Sequence, residues 1–177
     1  MKLKIPQFNT AVKIKSRANV HEIAAAIADV IRQESKKPYI QNLARSLCIN
    51  KNEPYYTAVQ LCNFAYQVAT FYPDAAGVQV IKTPAALMRE RKGNCVDYSV
   101  FIGALATAAE IPVTLKIVAI EPSEEYGHIY PYVNGLPCDV VPYQMQDGSE
   151  PENRRLNGSV LVWPIEKNYK KAFTVNI

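Results

Sequence analysis

The chain is poor in histidine. His21 and His128 are its only imidazoles, so chemistry that needs a base titrating near neutrality has two candidates. Its four cysteines, Cys48, Cys62, Cys95 and Cys138, form no CxxC pair and share no recognised ligand spacing with the histidines. No metal or other cofactor is therefore expected. No run approaches the roughly 20 apolar residues that span a bilayer, and Met1–Gln7 lacks the apolar stretch of a secretory leader. Those two absences point to free thiols in a reducing compartment, with the cytoplasm as the expected location and no membrane partner. Charge is nearly balanced, with 20 basic and 16 acidic residues and a net +4. The basic residues lie scattered over Met1–Arg17, Lys36-Lys37, Met88–Lys92 and Lys167–Lys171. They read as solvated surface, and no nucleic-acid partner is expected, because no compact basic stripe with interleaved aromatics exists. No acidic loop has calcium-site spacing.

What is present fits a globular domain of 177 residues, 49% hydrophobic and 20% charged. Residues 1–18 alternate apolar and basic and are read as an N-terminal arm or edge segment. Residues 19–177 are read as a single domain with its core at about 54–142. Asn19 followed by Glu22 predicts a capped start for an amphipathic helix over about 20–35. Ile40, Leu43 and Leu47 mark a second, shorter helix. Pro54 opens a helix to about Thr70, apolar on two faces and so largely buried. Thr83-Pro84 opens another through about Arg91, with Gly93 as its terminator. A helix over 95–109 carries small residues and stops at Pro112. Val113–Ile120 is β-prone, His128–Val133 and Leu136–Val141 flank an Asn134-Gly135 hairpin turn, and Val160–Trp163 is a final strand. Gln144–Asn157 is polar and loop-like. Helices precede strands, so the expected class is α+β.

The turn sets a register. With Val133 opposite Leu136, Tyr130 faces Asp139 and His128 faces Val141. Ile129, Pro131, Val133, Leu136, Cys138 and Val140 then share an apolar face. His128 and Asp139 share the other face as diagonal neighbours, within reach of one another's side chains. Pro131 and Pro137 cannot donate ladder hydrogen bonds, so irregular pairing is expected around them.

Gly93-Asn94-Cys95-Val96-Asp97-Tyr98 leads into the apolar run Ser99–Ala109 and puts a thiol in a helix's first turn, where the free N–H groups favour an anion. Cysteine, histidine and aspartate are the inventory of a nucleophile, its base and the group that orients the base. The assignment is Cys95, His128 and Asp139, resting as a thiolate–imidazolium pair. The Cys95 N–H is one oxyanion donor, with Gln79, Tyr72 and Tyr56 as unranked candidates for a second. Cys48, Cys62 and Cys138 are read as packing residues, His21 as a surface or capping residue, and Asp74 as a turn cap.

At these residues the chain resembles the transglutaminase-like superfamily, a branch of the papain-like cysteine-peptidase fold. The resemblance rests on Arg91–Tyr98, Ala109-Glu110-Ile111-Pro112, His128 at a strand start, and Asn134-Gly135 leading to Asp139. Tyr72–Gly77 and Ile81–Leu87 are similar to the lead-in of members encoded by bacteriophages. It covers about 54–142. It implies a papain-like fold, with the nucleophile helix packed on a small antiparallel sheet, and amide chemistry through a thioester on Cys95. The sequence departs from the family at Leu136, where an aromatic is usual, and at Pro131, which interrupts the histidine strand. Expected partners are a peptide or protein amide substrate and, for a phage-encoded member, phage structural proteins in the host cytoplasm or the virion. The alternative is a non-catalytic binding or virion-assembly protein that keeps the fold.

Overall fold

Asn19 starts the first helix as its spacing with Glu22 predicts. Its side chain accepts the N–H groups of His21 and Glu22, and the Glu22 carboxylate accepts the Asn19 N–H at 2.8 Å. The computed structural model describes residues 11–13, 19–47, 49, 52–75, 79–120, 122–141, 155–156, 159–160 and 169–177. Cys48, the arm apart from 11–13, 161–163 of the expected final strand, and Gln144–Asn157 apart from Arg155–Leu156 lie outside them.

The elements run β1 (Ala11–Lys13), α1 (Val20–Ser35), α2 (Pro38–Ser46), α3 (Pro54–Val68), β2 (Thr70–Phe71), β3 (Val80–Lys82), α4 (Pro84–Glu90), β4 (Lys92–Gly93), α5 (Cys95–Ala108), β5 (Val113–Ile120), β6 (His128–Val133), β7 (Leu136–Pro137), β8 (Arg155–Leu156), β9 (Ser159–Val160) and β10 (Tyr169–Asn176). The order is α+β. Four strands form the largest sheet, in the order β10-β5-β6-β7, with antiparallel pairing throughout. Helix α5 is apolar on every side, so it can be stable only inside the molecule, and Val96–Ala106 are all buried. It packs on α1 along one side, where Gly103 leaves room for the Ile31 side chain; a Cβ there would come within 2.8 Å of Ile31 Cδ1. One apolar cluster fills the space between α2, α3, α5 and the hairpin. A second lies between α1, α5 and the sheet face made by Leu115, Ile117 and Ile129. Cys95 touches both clusters.

Within the segment expected as an arm or edge, Ala11–Lys13 pairs antiparallel with Val80–Lys82. Two features depart from the sequence reading. Gly93 does not terminate α4. Arg91 takes the left-handed conformation there (φ 55°), and its N–H bonds to the Leu87 carbonyl. Gly93 sits instead in β4, parallel to β2, where a Cβ would run into Leu87 and lie 3.0 Å from Asp97 Cβ. The eight-residue strand β10, of which the sequence marks only Lys170 and Lys171 as basic surface, forms the sheet edge along β5.

The hairpin follows its turn. Asn134 and Gly135 both have positive φ (49° and 79°), the conformation that a two-residue hairpin of this hand requires. The register is the expected one, Val133↔Leu136 and Tyr132↔Pro137. Regular pairing stops at Pro137. Beyond it Cys138 still donates its N–H to the Pro131 carbonyl at 2.8 Å, and Pro131, lacking an N–H, returns nothing.

Candidate active site

The N-terminus of α5 is held from three directions. Asn94 Oδ1 accepts the N–H groups of Val96 (2.9 Å) and Asp97 (3.2 Å), which leaves the Cys95 N–H outside the cap. Asp97 is buried and bridges two segments: Oδ2 accepts the Asn94 N–H at 3.0 Å and Oδ1 accepts the Lys82 N–H at 2.8 Å. Burial pushes its carboxyl up to about 6, although those hydrogen bonds and Lys82 pull the other way. Ser99, fully buried one turn along, directs its hydroxyl at the Cys95 carbonyl (2.7 Å) and toward the Ile129 carbonyl (3.3 Å). That hydroxyl ties the first turn of α5 to the strand that begins with His128.

His128 and Asp139 meet as the register requires. Nε2 of His128 lies 2.5 Å from Asp139 Oδ2, and both side chains are largely buried. The other carboxylate oxygen accepts the Val141 N–H at 3.2 Å, so both oxygens are engaged. Burial by itself would depress the imidazole. Hydrogen bonding and charge from Asp139, and from Cys95, more than offset it and push His128 up to about 10. Asp139 occupies Nε2, which leaves Nδ1 as the ring nitrogen for the thiol. Tyr130 stacks against His128, with ring centroids 5.6 Å apart.

The structure thus brings Cys95, His128 and Asp139 together. Cys95 and His128 also line a common cleft of roughly 210 Å³. Gln79 lines that cleft too. Its Nε2 is only loosely held, 3.4 Å from both Asp74 Oδ2 and the Val80 carbonyl. Tyr72 and Tyr56 do not line it and are 59% and 69% exposed. The other described cysteines are elsewhere. Cys138 is buried against α3, its Sγ 3.6 Å from the Ala58 carbonyl, and burial, with Cys138 beside it, holds the Cys62 thiol well above the ordinary range. His21 is exposed on α1, its ring 4.5 Å from that of Phe173. Asp74 Oδ2 accepts the Val80 N–H at 3.0 Å.

Sequence reasoning missed one wall of the cleft. Val20, Ile23, Ala24 and Ile27 of α1 line it, and they lie outside the stretch of about 54–142 that carries the resemblance. The apolar spacing of α1 is visible in the sequence, but such a stripe reads as core when nothing local indicates that the first half of the helix lies beside the thiol. Among the described residues, no group of three or more His, Cys, Asp or Glu side chains is placed to hold a metal ion, and no helix is long and apolar enough to cross a membrane.

No family model and no curated protein matches the chain. Among solved structures it is similar to one described as a putative cysteine protease from Cytophaga hutchinsonii, at 15% identity and a TM-score of 0.43. The likeness covers 94% of this chain but only 60% of that one, and it is a likeness of outline that says nothing about which residues react.

Proposed function

We propose that the protein is a thiol enzyme of the papain-like, transglutaminase-like kind, which cleaves or transfers the acyl group of an amide through a thioester on Cys95. The observation that carries this reading is the imidazole of His128. It is locked by Asp139 at 2.5 Å on Nε2 and shares the cleft with Cys95, and Asp139 first and Cys95 second raise it above its ordinary range. A histidine held in this way is suited to pair with a thiolate and then to return the proton.

In the proposed cycle the Cys95 sulfur attacks the amide carbonyl carbon and forms a tetrahedral oxyanion. The Cys95 N–H, free of the Asn94 cap, and the Gln79 amide are the donors suited to receive that charge. His128 gives its proton to the leaving nitrogen, the C–N bond breaks and the amine departs, leaving the thioester. His128 then takes a proton from water, or from an incoming amine, as that nucleophile attacks the thioester. The C–S bond breaks and the acid or new amide is released. Asp139 holds the ring in one tautomer and supports its positive form throughout. Hydrolysis by water is the simpler of the two outcomes.

The test is alkylation with iodoacetamide at about pH 6, where ordinary thiols are almost wholly protonated. Cys95 should react far faster than Cys48, Cys62 and Cys138 on peptide mapping, and His128→Ala should abolish the difference. Equal reactivity of all four thiols would rule the reading out, and would favour a fold kept for binding alone.

A further inference from the structure

The cleft beside Cys95 has a chemical character that the thiol mechanism does not use. Val20, Ile23, Ala24 and Ile27 of α1 form one wall, and Ile117 and Ile129 of the sheet form the floor. Among the described residues, none of the side chains lining it is a lysine, arginine, aspartate or glutamate. Its polar side chains besides Cys95 are Gln79, His128 and Tyr126, and its volume is roughly 210 Å³. An apolar cavity of about 150 Å³ holds a benzene-sized group, so there is space for one large side chain.

We propose that this cavity takes a branched-aliphatic or aromatic side chain of the acyl donor, next to the carbonyl that Cys95 attacks. The proposal rests on the thiol reading above. Cys95 keeps the acyl part as the thioester and is itself part of the cavity wall, so a group attached near that carbonyl is delivered to the cavity. Leucine, isoleucine or phenylalanine gains by leaving water there. Lysine or arginine would bring a second positive charge toward the His128 imidazolium and find no carboxylate on the wall. Glutamine would lose water around its amide; Gln79 and His128 are committed to the reaction, which leaves the Tyr126 hydroxyl as the one other polar side chain among the described lining residues. The site is therefore a peptidase-like one that selects an apolar residue, rather than one that accepts a glutamine side chain as acyl donor.

The experiment compares chloromethyl ketones of acetyl-leucine, acetyl-phenylalanine, acetyl-lysine and acetyl-glutamine. Each alkylates a thiolate by forming an S–CH2 bond with loss of chloride. Second-order rates at Cys95 are read by mass spectrometry and divided by each reagent's rate with glutathione. The leucyl and phenylalanyl reagents should react at least about tenfold faster than the other two, the discrimination expected of an apolar pocket. Ile23, half-buried on the wall, supplies the variant: Ile23→Glu should cancel the leucyl advantage and raise the lysyl rate. Iodoacetamide at about pH 6 is run beside them to separate the two ideas. Selective labelling of Cys95 with equal rates for the four reagents, or with the glutaminyl or lysyl reagent fastest, overturns the cavity assignment and leaves the thiol reading intact. Loss of selective labelling overturns both. The wild-type comparison decides the matter even if Ile23→Glu does not fold.

Discussion

Asp139 Oδ2 reaches to 2.5 Å from His128 Nε2 although regular strand pairing has already ended at Pro137. The contact survives because the Asn134-Gly135 turn has fixed the register, and because the Cys138 N–H still holds Pro131. Asp139→Asn keeps the shape and removes the charge. The imidazole of His128 should then titrate well below its present value of about 10, moving toward the unperturbed range near about 6.5. Titration of the ring by NMR reads this directly. An unchanged midpoint in the variant would mean that Asp139 does not govern the ring.

The same pair makes a prediction about stability. His128 binds its proton more tightly folded than unfolded, so its contribution is complete below about pH 6.5 and is lost as pH rises through about 10. His128→Gln removes that dependence. The melting-temperature advantage of wild type over His128→Gln should shrink steadily between about pH 7 and pH 10. An advantage that grows over that window has the wrong sign for a raised imidazole.

Asp97 carries a slope of the same sign in a lower window. Its folded carboxyl titrates near 6, above the ordinary 3.8, so the folded state keeps the proton longer. The stabilisation from the protonated form is full below about pH 3.8 and is lost as pH rises through about 6. Asp97→Asn never ionises. The melting temperature of Asp97→Asn relative to wild type should therefore rise between about pH 4 and pH 7. A flat difference would show that the hydrogen bonds from Lys82 and Asn94 fully compensate the burial of this carboxylate.

Gly93 is small because Leu87 and Asp97 close over it. A Cβ at this position would run into Leu87 Cδ1 and approach Asp97 Oδ2 to 3.1 Å. Overpacking of a filled site costs about 1–3 kcal/mol. Gly93→Ala should lower stability by that order in urea unfolding, and should slow Cys95 alkylation as the cap turn shifts. Full wild-type stability would show that Leu87 yields without cost.

The two halves of the site were not equally legible in the sequence. Asn94 with Asp97, and Asn134 with Gly135, are local signals: each acts over a few residues, so the cap that presents Cys95 and the turn that joins His128 to Asp139 follow from spacing. The wall from α1 and the edge from β10 are long-range facts. Strand β10 was hidden by its charges. Its register shifts between Tyr169 and Lys171, so no single alternation runs its length. Lys170 and Lys171 are exposed, and so are Ala172 and Thr174, as on a one-sided edge strand. Only Phe173, Val175 and Ile177 carry the inward phase, too few to distinguish a strand from a tail.

Phe173 is the residue by which that strand can be tested. It packs on the second apolar cluster, with its ring 4.5 Å from His21 and 5.1 Å edge-on from Tyr126, and Tyr126 in turn lines the cleft. Being half-buried, it should contribute less than the roughly 3–5 kcal/mol of a wholly enclosed phenylalanine, so Phe173→Ala should cost about 1–3 kcal/mol in urea unfolding. The loss should be accompanied by faster amide exchange along Thr114–Ile120, the stretch that β10 covers. The conservative Phe173→Leu should recover most of both. If Phe173→Ala unfolds at the wild-type midpoint and exchange over β5 is unchanged, β10 is not part of the sheet in solution. Tyr126 would then line the cleft without the ring that backs it.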